Sequence, residues 1–163
     1  DGARSRGLGD VYKRQGYWRQ KELTEKAIVN GWMKTGDGAK MDESGYVFIV
    51  DRVKDMIISG GENIYSTEVE NTIYQLKNVL ECAVIGIPDE KGGEAVHAII
   101  RLKENTSIDE KEVIEHCHKN IAGFKCPKSV SFREAPMPVS GAGKVLKTEL
   151  REPFWKDSDK QVN

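Results

Sequence analysis

The chain has 163 residues, which suits one ordinary domain or a small domain with part of another. Charged residues make up 31% and hydrophobic residues 38%, a composition typical of a globular protein and not of a disordered one. The net charge of -1 argues against a general nucleic-acid or membrane-surface binder, and no apolar run approaches the roughly 18 residues that a membrane span needs. We therefore expect no nucleic-acid partner and no membrane span.

Cysteine and histidine usage bears on location and on metal binding. Cys82, Cys117 and Cys126 are odd in number and not closely paired, which favours reduced thiols in the cytoplasm over a disulfide framework or a zinc site. His116 and His118 are two apart on a predicted helix and so point away from each other. We predict no metal site.

The first third of the chain divides into a leader and short structured elements. Residues 1–15 are basic, glycine-rich and aperiodic, and we interpret them as a foreign leader; a natural flexible leader is the alternative. Apolar residues at helical spacing predict a helix within residues 20–30 that ends at Gly31. A β-rich run follows at residues 46–50.

Residues 50–64 hold the most informative pattern. A charged cluster at residues 51–55 runs into a short apolar strand that ends at Gly60 and Gly61. Paired glycines between strand formers favour a tight hairpin, because both can adopt a positive φ. A charged segment before such a hairpin indicates a moving or ligand-facing element; a surface ion pair among Asp51, Arg52 and Asp55 is the alternative reading.

From residue 66 onward the pattern predicts the order αββαβ and a short terminal helix. Capping-box spacings at Thr67/Glu70 and Ser107/Glu110 predict two helix starts. Two helices can cover one face of a small sheet, so we predict an α+β fold with a three-stranded sheet. The strands are expected at residues 79–87, 94–102 and 129–133, and the terminal helix at about residues 147–152.

Three side chains stand out chemically. The Asp37 carboxylate follows a glycine turn and could accept both hydrogen bonds of a vicinal diol, or it could simply cap its own turn. Lys144 ends a glycine-rich loop that is not a phosphate-binding P-loop, because Pro138 and Val145 replace the required glycine and hydroxyl residue. Phe124, beside two lysines, could stack on an adenine, while the lysines meet phosphates.

In order, these motifs resemble the adenylate-forming (AMP-binding) superfamily, which includes acyl- and aryl-CoA ligases, peptide-synthetase adenylation domains and firefly-type luciferases. The likeness covers residues 16–155 and looks most like bacterial fatty-acyl-CoA or 4-coumarate-CoA ligases. It rests on four motifs: Thr-Gly-Asp at residues 35–37, Asp-Arg-Val-Lys at 51–54, Gly-Gly-Glu-Asn-Ile at 60–64 and Pro-x-Ser-x-x-Gly-Lys at 138–144.

The resemblance implies roles for the residues that match these motifs. Asp37 and Arg52 would bind the nucleotide, and Lys54 would be the hinge about which a small domain rotates. Lys144 would be catalytic, placing a cation against the substrate carboxylate and the α-phosphate.

The resemblance also implies a CoA site, at Gly60, Gly61, Glu62 and Phe124. The hairpin glycines would line the pantetheine tunnel, where the absence of Cβ lets backbone approach a ligand closely. Two positions depart from the pattern, since some relatives have Arg at Cys126 and many have Trp at Gly92. In place of that arginine, Lys125 or Lys128 could supply the positive charge.

The resemblance further implies the domain plan and the reaction. Residues 16–51 would end a large AMP-binding domain, residues 52–155 would form the small C-terminal domain with its core at 68–144, and residues 156–163 would be a tail. The parent would be an AMP-forming acyl-CoA ligase that converts a carboxylate and ATP into an acyl-adenylate and then transfers the acyl group to CoA. Mg2+-ATP would be bound mainly by the large domain, so we expect the fragment alone to be inactive.

Two other functions stay open. The chain could come from an adenylation domain that loads a carrier protein, or it could be a non-catalytic interaction module that stands alone. The sequence does not identify the carboxylic acid, because no residue of an acyl pocket is present, and it does not indicate the oligomeric state.

Overall fold

The structure is a computed structural model that describes residues 15–156. Nearly all of the predicted leader (residues 1–14) and of the predicted tail (residues 157–163) lies outside this range. The chain divides into two compact units between Arg52 and Val53. None of the helices within the described residues has the length and apolar character needed to cross a membrane.

The first unit consists of one short helix and two antiparallel strand pairs. Asn30 and Gly31 join the first pair as a two-residue turn with φ values of 52° and 79°, the conformation favoured in tight hairpins. Gly31 was predicted to end the helix, which instead ends at Ala27 because the chain turns into a strand there. The elements are α1 (Lys21–Ala27), β1 (Ile28–Val29), β2 (Trp32–Met33), β3 (Asp37–Met41) and β4 (Val47–Arg52).

The second unit follows the predicted order αββαβ with a terminal helix. A 3-10 turn at Val53–Asp55 precedes it, and another at Gly123–Lys125 precedes the last strand. Its elements are β5 (Ile57–Ser59), β6 (Glu62–Ile64), α2 (Ser66–Ile73), β7 (Val79–Asp89), β8 (Gly93–Leu102), α3 (Glu110–Asn120), β9 (Ser129–Phe132) and α4 (Lys147–Trp155).

The sheet of the second unit has five strands, where three were predicted. Its order is β6-β5-β8-β7, and β9 pairs in parallel with β8. The two extra strands are those of the glycine hairpin, which joins the sheet because Ser59 pairs with Gly93 at the start of β8. The fold is therefore mixed, with four described helices and small, mainly antiparallel sheets.

Helices cover both faces of this sheet. Val96, Ala98 and Ile100 of β8 face one apolar cluster together with residues of α2 and α3. The alternate residue Ile99 lies in a second cluster with Leu150 of α4. Burial of both faces explains why β7 and β8 read as continuous apolar runs and do not alternate with polar residues.

The two predicted capping boxes have different outcomes. The helix α3 does begin with a capping box, but it is formed by Asp109 and Glu112, two residues later than Ser107 and Glu110. The α2 prediction is wrong, since that helix starts after Tyr65 without a side-chain cap. The glutamates expected to cap instead bond to the sheet: Glu70 accepts from Val84 N at 2.8 Å and Glu110 from Val130 N at 2.7 Å.

Candidate functional site

The loop that carries Lys144 is a closed turn. Val139 and Val145 form a β-bridge at its base, and Ser140 N donates to the Lys144 carbonyl oxygen at 2.8 Å. The Ser140 hydroxyl accepts from Lys144 N at 3.2 Å, and Gly143 has a φ of 75°, which a glycine adopts without strain. Hydrogen bonds within the loop therefore fix its shape.

Lys144 itself is exposed, and its ammonium group contacts no carboxylate among residues 15–156. The neighbouring cation, Lys147, is different: its Nζ lies 2.7 Å from Glu70 Oε1 and donates to Ser66 Oγ at 2.7 Å. Lys147 therefore anchors the loop to α2, while the Lys144 side chain lies away from any carboxylate described and is exposed. A lysine held in this way can offer its charge to an external anion.

The glycine hairpin consists of β5, β6 and the turn at Gly60 and Gly61. These two glycines have φ values of 61° and 88°, in the left-handed region expected for a two-residue hairpin turn. A Cβ built on either glycine would meet nothing within 4 Å. Glu62 is exposed beside them, so the turn presents open backbone to solvent.

The segment around Phe124 offers an exposed aromatic ring with a cation near it. The Lys125 Nζ lies 5.7 Å from the centre of the Phe124 ring, within the usual range of a cation–π contact. Both Glu68 carboxylate oxygens also accept from Lys125, at 2.7 and 2.9 Å. Glu68 thus offsets most of the charge that Lys125 could offer to a phosphate.

Lys128, the other cation considered for this segment, is also paired. Its Nζ donates to Asp89 Oδ2 at 3.0 Å, and this hydrogen bond lowers the pKa of the Asp89 carboxyl below its ordinary value. Gly92 N donates to the same oxygen at 2.9 Å. Lys128 therefore helps to fix the turn between β7 and β8.

Lys54 lies in the 3-10 turn that opens the second unit. Its side chain is exposed, and its carbonyl oxygen accepts from Arg151 Nη1 at 3.0 Å. Arg151 Nη2 lies 3.3 Å from Asp55 Oδ1, so one buried guanidinium on α4 binds both Lys54 and Asp55. Asp55 is thus paired with Arg151, whereas the alternative reading of this segment placed it in an ion pair with Asp51 and Arg52.

Asp37 and Arg52 lie directly opposite each other in the register of β3 and β4. Both side chains are exposed. The alternative in which Asp37 caps its own turn is not seen, because the Thr35 hydroxyl accepts from Asp37 N at 3.2 Å and the Asp37 carboxylate caps nothing among the described residues. The first unit therefore presents a carboxylate and a guanidinium group side by side.

His97 and Cys117 are titratable groups that lie buried within the fold. His97 lies between the hydroxyls of Ser129 and Ser131, at 2.7 and 3.0 Å, and burial lowers its pKa. Burial also raises the pKa of the Cys117 thiol to about 11, and the described structure holds no disulfide-bonded cysteine. Within residues 15–156, no group of three His, Cys, Asp or Glu side chains is arranged to hold a metal ion.

Three residues that organise these segments were not identified from the sequence: Glu94, Lys147 and Arg151. For the two on α4 a signal was present, since Lys147, Leu150 and Arg151 follow helical spacing and so share the buried face of a helix. Charges on such a face need partners. Glu94 gave no comparable signal, because its partner Ile58 is 36 residues away in the chain.

Comparison with known proteins identifies relatives for this arrangement. The family model described as AMP-binding enzyme C-terminal domain matches residues 68–144. A long-chain-fatty-acid–CoA ligase of Mycobacterium tuberculosis is 48% identical over 138 residues, which are 85% of this chain and 27% of that protein. A feruloyl-CoA synthase of an Amycolatopsis species is 46% identical over 140 residues, 86% of this chain and 28% of that protein.

A solved structure gives the same picture. The ATP-bound structure of MatB from Rhodopseudomonas palustris superimposes with a TM-score of 0.80 and 41% identity, covering 90% of this chain and 29% of MatB. The chain thus spans between a quarter and a third of the length of the relatives that it matches.

Proposed function

Because the chain belongs to the adenylate-forming superfamily and carries its C-terminal domain, we propose that it works as the C-terminal portion of an AMP-forming acyl-CoA ligase. The proposed reaction has two steps: a carboxylate attacks the α-phosphate of ATP to give an acyl-adenylate and pyrophosphate, and the CoA thiol then displaces AMP to give the thioester. The relatives named as long-chain-fatty-acid–CoA ligase and feruloyl-CoA synthase support this reaction class.

The observation that carries the proposal is the presentation of Lys144. Its ammonium group is exposed on a loop whose base is closed by the β-bridge between Val139 and Val145. It contacts no carboxylate among the described residues. In the proposed reaction Lys144 offsets the negative charge that gathers as the carboxylate attacks phosphorus. A lysine already neutralised in the fold, as Lys147 is, could not do this.

Asp37 and Arg52 are proposed to bind the nucleotide. An exposed carboxylate can accept both hydroxyls of a ribose, and the guanidinium opposite it can meet a ribose or phosphate oxygen. Residues 16–51 would then belong to the end of a large domain, and residues 52–155 would form the small domain that turns about Lys54. The Mg2+ that accompanies ATP would be held mainly by the large domain.

The acyl acceptor is proposed to approach along the glycine hairpin. Gly60 and Gly61 leave room for a pantetheine arm against the backbone, and Phe124 offers its face to an adenine ring. Lys125 is a weaker candidate for binding a CoA phosphate, because Glu68 already pairs with it. The three free thiols fit a reducing compartment, and we infer a cytoplasmic location from them.

A hybrid enzyme tests the proposal. In it, residues 16–163 replace the matching C-terminal segment of the M. tuberculosis ligase, whose identity of 48% makes a compatible junction feasible. We expect the hybrid to form acyl-CoA from a long-chain acid, ATP and CoA. The 163-residue chain alone should give no ATP–pyrophosphate exchange, because one lysine cannot hold ATP and acid in line.

The outcomes separate the three functions. Thioester formation by the hybrid, well above that of the mycobacterial large domain alone, supports the ligase. Acyl transfer to a carrier protein in preference to CoA would support a carrier-loading enzyme. A hybrid as inactive as the isolated large domain, although folded and able to bind ATP, would contradict the proposal and favour an interaction module.

A further inference from the structure

The glycine hairpin is held to the rest of the sheet by its contact with a second glycine turn. Gly60 N donates to the Gly92 carbonyl oxygen at 2.9 Å, and Ser59 pairs with Gly93. A Cβ on Gly92 would lie 3.2 Å from Gly60 N and 3.0 Å from Asp89 Oδ2, so these neighbouring atoms would have to shift slightly to admit a larger residue. Glycine at position 92 thus permits this close contact.

A carboxylate extends the contact by one residue. The Glu94 Oε2 accepts a hydrogen bond from Ile58 N at 2.7 Å. Ser59 of β5 pairs with Gly93 of β8. At the next amide of β5, that of Ile58, the Glu94 carboxylate takes the place of a backbone acceptor. An amide bonded to a carboxylate is held more strongly than one bonded to a neutral carbonyl.

The position of the Glu94 side chain is fixed by its surroundings. It lies against Gly86 of β7, where an added Cβ would be 2.8 Å from the carboxyl carbon and 2.9 Å from Oε1. The Gly86 carbonyl oxygen accepts from Trp155 Nε1 at 3.1 Å, which fixes this stretch of β7 against α4. Gly86 therefore provides the space that the carboxylate occupies.

We propose that Glu94 is a positioning residue for the acyl-transfer half of the reaction. Its carboxylate holds β5 through the Ile58 amide, and it thereby sets where the Gly60–Gly61 turn lies when the acceptor enters. The catalytic consequence rests on the proposed function, whereas the hydrogen bond itself does not.

The first experiment measures amide hydrogen exchange in the 163-residue chain. In Glu94→Ala the Ile58 amide should exchange at least about 10-fold faster, because its acceptor is gone, while the Ile100 amide in the core should be unchanged. Glu94→Gln keeps an acceptor oxygen and should stay within about 3-fold of the parent. Glu90→Ala, an exposed glutamate in the adjacent turn, is the matched control and should change neither amide.

The outcome for Ile58 decides whether the hydrogen bond exists in solution. Equal exchange of Ile58 in Glu94→Ala and in the parent would overturn it. Parallel acceleration of Ile58 and Ile100 would also overturn it, since that pattern reports a global loss of stability and not the release of one amide.

The second experiment measures both half-reactions in the hybrid enzyme. Glu94→Ala should slow thioester formation from pre-made acyl-adenylate by about 10-fold and leave adenylate formation within about 2-fold, and Glu94→Gln should restore most of the transfer rate. Equal loss in both steps, or no loss in transfer, would overturn the positioning role. If the unmodified hybrid makes no thioester, the proposed function fails, and the exchange data still decide on the hydrogen bond.

Discussion

The ammonium group of Lys147 lies 2.7 Å from Glu70 Oε1, and this pair links the first turn of α4 to α2. Both side chains are nearly buried, with 11% and 16% of their surface exposed. The Ser66 hydroxyl accepts from the same ammonium group, and Val84 N donates to the same carboxylate oxygen. Lys147 follows Lys144 by three residues, so its pair with Glu70 fixes the base of the loop that presents the candidate catalytic lysine.

Removal of the Lys147 cation should be costly. In Lys147→Met the nearly buried Glu70 carboxylate loses the Lys147 ammonium group, and we expect the free energy of unfolding to fall by about 3 kcal/mol. Urea unfolding of the 163-residue chain measures this. Lys111→Met is the matched control, because the Lys111–Glu115 pair is 3.8 Å apart and largely exposed, and it should cost less than about 0.5 kcal/mol. Equal losses in the two variants would show that the Lys147–Glu70 pair contributes little.

The hinge assignment predicts a split between the two half-reactions. Proline fixes φ near about -65° and so blocks a change of backbone dihedral at position 54. In the hybrid enzyme, Lys54→Pro should retain adenylate formation and lose transfer to CoA, whereas Lys54→Ala should retain both. The two half-reactions are measured separately. Thioester formation by Lys54→Pro at the parent rate would refute the hinge.

The glycine hairpin predicts the same split by a different route. In the hybrid, Gly61→Trp should block transfer to CoA and spare adenylation, because the indole fills the open space beside the turn. Gly61→Ala separates space from strain, since both variants force a side chain onto a φ of 88° and only the indole is large. Transfer should survive much better in Gly61→Ala. Normal transfer by Gly61→Trp would show that the hairpin does not line the acceptor's path.

The buried His97 predicts a loss of stability in acid. Burial lowers the pKa of His97 in the folded state, so the unfolded chain binds a proton first as the pH falls below about 6.5. The contribution of neutral His97 is present above that pH and is lost as the pH falls toward the lowered pKa. Urea unfolding at pH 7.5 and at pH 5.5 should show a smaller loss in His97→Gln than in the parent. His118→Gln, on the exposed face of α3, should behave like the parent, and identical losses in all three would contradict the prediction.

The order of elements in the second unit was predictable because its signals are local. The turn at Gly60–Gly61 and the apolar runs of β7 and β8 each follow from neighbouring residues. The capping boxes show where local reasoning fails: Glu70 and Glu110 have the right spacing, but each forms a hydrogen bond with the sheet. A buried donor on the sheet competes for a carboxylate as strongly as a helix start does.

The candidate site was predictable only in part. The resemblance selected Lys144 and the glycine hairpin from short motifs. The side chains that hold them act over long separations, since Lys147 bonds with Ser66 across 81 residues and Arg151 with Lys54 across 97. Such pairings depend on how strands and helices pack, and no local pattern specifies them. The pairing of β5 with β8, which adds the glycine hairpin to the sheet, was missed for the same reason. It rests on Ser59 and Gly93, which are far apart in the chain.

The role of Lys144 is tested most directly by adenylate formation in the hybrid enzyme carrying Lys144→Ala. Loss of a positioned cation at the reacting phosphate should lower the rate of adenylate formation by at least about 100-fold. Thioester formation from pre-made acyl-adenylate should fall far less, because that step builds no charge on the α-phosphate through carboxylate attack. An equal fall in both half-reactions, or adenylate formation at the parent rate, would contradict the account and make Lys144 a structural or solvated residue.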